Sequence, residues 1–217
     1  MRRSQVQDMI SAGESTTVEF KRKCTAPEKM AKELTAFANT KGGYLLIGID
    51  DDRRIIGIPS EKTIMSEVER ACIFYCNPPL NYELYIMPFD RLDIAIVHVH
   101  ESNEKPHAVK DPQTPDEQKV YIRQGEESVS ASKEMIRILR GMRADAKPLM
   151  ISISDKERRL FDFIEKKGRA TVKDFSTLVN ISDRRAARLL VRLVRAGVLN
   201  IHTNEQHDYY TLVERPN

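Results

Sequence analysis

Hydrophobic and polar positions first fall into a clear pattern at Val18-Glu-Phe-Lys-Arg22. Alternation there sends Val18 and Phe20 one way and Glu19 and Lys21 the other, as a strand requires. Met30, Ala31, Leu34, Phe37 and Ala38 then recur at helical spacing, which predicts a helix over 28–39. Pro27 suits its first turn, and Gly42-Gly43 offers the left-handed residue that ends it. The apolar run at 44–49, the polar turn at 50–53 and Ile55-Ile-Gly-Ile58 predict a β-hairpin. A second helix is expected over 61–75, stopping before Asn77-Pro-Pro79. Two strands, 82–88 and 92–100, flank a turn at Asp90-Arg91. Residues 101–118 are polar and proline-bearing and are expected to be a loop. A strand at 120–123 follows, and Ser132 caps a helix through about residue 142. Strands and helices mixed in this order predict an α+β fold whose N-terminal domain, residues 1–143, holds a mixed sheet.

Residues 144–149 are expected to be a linker, and residues 150–217 a second domain with clear punctuation. Ser154-Asp-Lys-Glu157 is a capping box opening a helix with Leu160, Phe161 and Ile164 inward and Lys166, Lys167 and Gly168 at its end. Thr171 caps a shorter helix carrying Val172, Phe175, Leu178 and Val179. Asn180 suits a left-handed turn, and Ser182 caps a third helix with a core stripe of Ala187, Leu190, Val191 and Val194. Two strands, 199–202 and 209–213, close on residues 203–207 as a wing. Three helices followed by such a hairpin make a winged helix-turn-helix.

Charge sharpens this picture. The net charge of +3 comes from 35 Lys and Arg against 32 Asp and Glu. From Leu149 onward the chain has 13 against 9, so the basic excess sits in the second domain, as contact with phosphates would require. Arg184, Arg188, Arg192 and Arg195, spaced four, four and three apart, share one helix face with Arg185 beside it. In a helix-turn-helix the start of the last helix enters the major groove. Ser182, Arg184, Arg185 and Arg188 are therefore expected nearest the bases, and Arg192 and Arg195 nearest phosphates.

Other chemistry is sparse. Cys24, Cys72 and Cys76 form no disulfide framework and are expected to be core thiols of a reducing compartment. No apolar run follows Arg2 and Arg3 and none is long enough for a membrane span, so the expected location is the cytoplasm. Gly42-Gly43 lacks the lysine and serine or threonine of a P-loop. His98 and His100 share a strand face with Ile94 and Ile96 and are expected to be packed or hydrated.

Gly13-Glu-Ser-Thr-Thr-Val-Glu-Phe-Lys21, Ala36-Phe-Ala-Asn-Thr-Lys-Gly-Gly43, Leu46-Ile-Gly-Ile-Asp50, Ile56-Gly-Ile58 and Val120-Tyr-Ile-Arg-Gln-Gly125, with Ala131-Ser132, together resemble the Schlafen AlbA-type domain. The likeness spans about residues 13–140. It implies a domain described as DNA-binding or ATPase-like in bacterial regulators, where it is often joined to a C-terminal winged helix. Some Schlafen proteins are metal-dependent ribonucleases with three acidic residues, which the motifs place here on Glu14, Glu19 and Asp50. Such a carboxylate cluster would hold Mg2+ or Mn2+ and activate water. Vertebrate Schlafen cores hold two such lobes, which implies a homodimer for a chain with one.

The expected function is therefore DNA binding, as a transcriptional regulator, with no cofactor required. Lys21, Arg22, Lys23 and Arg123 are expected to contact nucleic acid from the first domain. The alternatives are a metal-dependent ribonuclease acting on RNA and a protein-interaction adaptor. No membrane partner is expected.

Overall fold

A strand, a helix and a parallel strand begin the main sheet. The computed structural model describes residues 1–143, 145–146, 149, 151–203 and 207–213. Its contacts divide the chain into two units, Met1–Ser130 and Ala131–Asn217.

In the first unit, β1 (Val18–Lys21) lies parallel to β2 (Gly43–Ile47), with α2 (Pro27–Asn39) as the crossover that a parallel pair needs. β4 (Glu83–Phe89) and β5 (Leu92–Val99) complete a sheet ordered β1-β2-β5-β4. One face of it packs Leu45, Ile47, Ala95 and Val97 under α2 and α3 (Glu61–Phe74). The other packs Val18, Phe20, Leu46, Ile94 and Ile96 against Val6 and Ile10 of α1 (Arg3–Ala12). Sequence patterning missed α1, because only Val6, Met9 and Ile10 mark its inner face among polar neighbours.

The second sheet, β3-β6-β7-β8, was largely illegible as well. It comprises β3 (Cys76–Asn77), β6 (Ala108–Asp111), β7 (Thr114–Gln124) and β8 (Glu127–Ser130), all antiparallel. Part of the expected loop at 101–118 is thus a hairpin. Its outer residues are polar and exposed, so pairing rather than apolar burial makes the strand. The expected hairpin at 44–58 is, by contrast, reduced to one bridge between Ile49 and Ile55. Gly48 there has φ +100, and a Cβ on it would lie 2.9 Å from the Gly57 backbone, so this close, irregular crossing needs glycine.

Asn39, at the end of α2, ties that helix to the second sheet. Its amide donates to the carbonyls of His107 and Tyr121, 2.8 Å each, and accepts from the His107 amide at 2.8 Å.

The second unit begins with α4 (Lys133–Gly141), capped by Ser132. Sequence patterning joins this helix to the first domain, whereas in the structure it packs on α7 (Asp183–Arg195). α5 (Asp155–Lys167) carries the expected capping box and ends at left-handed Gly168. α6 (Val172–Leu178) is capped by Thr171, Asn180 has φ 51, and Ser182 caps α7. β9 (Leu199–His202) and β10 (Tyr209–Leu212) form an antiparallel pair. Ala170, between α5 and α6, bridges Tyr210 through two backbone hydrogen bonds of 3.0 and 2.8 Å. Leu160, Ile164, Phe175, Leu190, Leu193, Leu199 and Tyr210 fill the core. Residues 204–206 of the expected wing and 144, 147 and 148 of the expected linker lie outside the described residues.

Candidate nucleic-acid interface

The caps of the second unit fix where its cations point. Ser182 accepts from the Arg185 amide and sets the start of α7, whose inner stripe buries Ala186, Ala187, Leu190, Val191 and Leu193. The opposite face therefore carries Ser182, Arg184, Arg185, Arg188 and Arg192, all exposed. Among the described residues, Arg184, Arg185 and Arg188 make no ion pair. Arg192 lies within electrostatic reach of Glu157, whose carboxyl burial raises but whose hydrogen bonds with Ser154 lower, for a net shift downward. Arg195 departs from the expected stripe. Its side chain lies against Gly141, where any Cβ would collide with the guanidinium, and its Nε is buried. It packs against α4, with which α7 is in contact, rather than standing clear of the helix. Arg169, at the start of the bridge segment, sits 5.3 Å over the Tyr209 ring.

In the first unit the structure gathers the candidate acids differently from a metal site. Glu14 accepts from the Phe20 amide at 2.8 Å, and burial pushes its carboxyl up. Glu19 points to the α2 side of the sheet and is buried. One of its oxygens pairs with Lys21, and the other accepts from Arg123 Nη1 at 3.0 Å. Asp50 turns back on its own loop and accepts from the Arg54 amide at 2.8 Å. Among the described residues, only Glu83, His98 and His100 bring three metal-ligating atoms within 4.8 Å of one another. Glu14, Glu19 and Asp50 do not converge. Both Glu19 oxygens are already bound by cations, so these residues do not fit a divalent metal.

Arg123 also needs correction. Its side chain is fully buried and donates to Glu19, to Glu33 at 3.2 Å, to Ser128 at 3.2 Å and to the Ser15 carbonyl at 2.7 Å, with its guanidinium 4.9 Å over the Phe37 ring. It is an internal tie rather than a phosphate contact. Lys21 is half-buried on Glu19, whereas Arg22 and Lys23 are exposed. Sequence reasoning missed Glu33, which completes this network from α2. Its place in the inner stripe, one residue before Leu34, was the available signal.

The thiols behave as core groups. Burial pushes Cys72 up to about 12 and Cys76 up as well, while Cys24 is half-buried and raised less far.

The motif segments around Glu14, Ala36–Gly43 and Val120–Gly125 thus meet in one buried network, and the Schlafen AlbA_2 family model matches residues 14–132. The chain belongs to the Schlafen AlbA_2 family. Two solved structures are similar to it. One is the DIP2311 protein from Corynebacterium diphtheriae, with TM-score 0.47 and 15% identity over 70% of this chain. This chain covers only 35% of that one. The other is the N-terminal domain of a RecG-related protein from Nitrosomonas europaea, with TM-score 0.45 and 21% identity, covering 71% of this chain and 97% of that domain. Within this Schlafen AlbA_2 chain, no helix among the described residues is long and apolar enough to cross a membrane.

Proposed function

We propose that the protein binds duplex DNA through α7 and acts as a regulator of transcription. The observation that carries this reading is the row Arg184, Arg185 and Arg188 on the exposed first half of a Ser182-capped helix. The order α5, the Ala170 bridge, α6, α7 and the β9–β10 pair supports a winged-helix reading, in which that half of the last helix enters the major groove. Arg184, Arg185 and Arg188 then reach base edges and phosphates, and Arg192 the flanking backbone. Asp183 in the first turn opposes binding, and three exposed arginines outweigh it. Arg22 and Lys23 supply an auxiliary phosphate contact from the first unit. A homodimer would present two such helices to a two-fold site, which sedimentation of the full chain measures.

The test is anisotropy titration of a labelled duplex across a salt series. Log affinity should fall linearly with log salt, and Arg184→Ala with Arg188→Ala should weaken binding and flatten the slope by about 0.9 for each lost phosphate contact. Binding that ignores salt, or survives the double substitution unchanged, overturns the reading. Absence of binding to DNA leaves α7 as a protein-docking face.

A further inference from the structure

A second cluster lies in the first unit at the open end of the main sheet. In an antiparallel pair, residues on one face alternate, so His98 and His100 of the β5 segment project together, and Glu83 of β4 stands directly across from His98. Glu83 Oε2 lies 3.4 Å from His98 Nδ1, and Glu83 Oε1 lies 3.2 Å from His100 Nε2. One ligand atom from each of the three residues lies within 4.8 Å of those of the other two, close enough for a single ion to draw them into one shell.

Each ligand is also oriented. The His98 ring stacks on Tyr44, with centroids 4.3 Å apart and planes 8° apart, and meets His100 edge-on at 4.2 Å. The Tyr85 hydroxyl donates to Glu83. Such outer partners fix the geometry of a metal ligand. Two imidazoles and one carboxylate suit zinc-class ions rather than Mg2+ or Ca2+. Beside the cluster opens a cleft of about 330 Å3, lined by Pro79, Tyr82, Glu83, His100, Ser102 and His107.

We propose that Glu83, His98 and His100 bind one zinc-class divalent ion, through His98 Nδ1, His100 Nε2 and the Glu83 carboxylate. Three protein ligands leave a fourth position for water or an anionic group from the cleft side. The site uses none of Glu14, Glu19 or Asp50 and does not depend on DNA binding.

Calorimetric titration of the tag-free full chain with zinc chloride in excess magnesium tests it. One zinc per chain is expected. His100→Ala and Glu83→Gln should each lower affinity by about tenfold or more, and Tyr85→Phe, one shell further out, by roughly tenfold. His100 and Glu83 are partly solvent-exposed, so both variants should fold, which circular dichroism verifies. No zinc uptake, uptake abolished by magnesium, or wild-type affinity retained in His100→Ala and Glu83→Gln overturns the proposal.

Discussion

Arg123 lies out of solvent between Glu19 and Glu33, with Lys21 on the far side of Glu19, so two carboxylates face two cations inside the first unit. Removing one member of a buried set strands the charges of the others. Arg123→Met should therefore destabilise the first unit by about 3–5 kcal/mol, measured by urea denaturation. Adding Glu19→Gln and Glu33→Gln to it should recover part of the loss. A single substitution that leaves the midpoint unmoved would remove Arg123 from its internal role. Glu19 and Arg123 were visible in the sequence as motif residues, but their burial was not. Alternation placed Glu19 opposite Phe20 correctly, yet nothing local shows that a strand from residue 114 onward brings a guanidinium to cover that face. Thiol chemistry offers a second check at this scale. Only the thiolate reacts, and burial raises Cys72 and Cys76 far more than half-buried Cys24. A neutral-pH maleimide pulse on the folded chain should label Cys24 first, with mass spectrometry locating the adduct.

Elements with strong end signals were read closely, and several without them were missed. Ser154, Thr171, Asn180 and Ser182 each occupy the backbone position their chemistry favours, because caps act within three residues and need no tertiary information. β6, most of β7 and α1 lack such signals, since their stability comes from partners distant in sequence. On α7 the same logic separates two classes of arginine. Ser182→Ala removes a cap and should cost about 1 kcal/mol of stability in the second unit. Arg188→Ala should leave the melting temperature nearly unchanged but lower the salt slope of DNA binding by about 0.9. Arg195→Ala should do the reverse, because its guanidinium packs against Gly141. If Arg195→Ala instead flattened the slope with stability intact, the expected stripe of four would stand as a phosphate-facing row.

At the scale of the whole chain, the two units differ in what their polar groups do. The first spends Glu19, Glu33 and Arg123 on internal pairs, while the second leaves Arg184, Arg185 and Arg188 to solvent. The boundary between them decides which fragment can carry the proposed activity. Composition favours a break at 144–149, where the chain turns polar and carries a proline. Contacts favour Ser130, because α4 packs on α7 and Ser132 donates to Asp208 beside β10. A fragment of residues 131–217 should consequently melt cooperatively and bind duplex DNA with the full chain's salt slope, less the share of Arg22 and Lys23. A fragment of residues 150–217 lacks α4, exposes the α7 side that α4 packs on, and should lose several kcal/mol of stability on the scale of about 1.5–3 for each apolar side chain no longer buried. Calorimetric melts of the two fragments separate the alternatives. Equal stability would return α4 to the first unit and restore the boundary near residue 143 that the sequence pattern suggests.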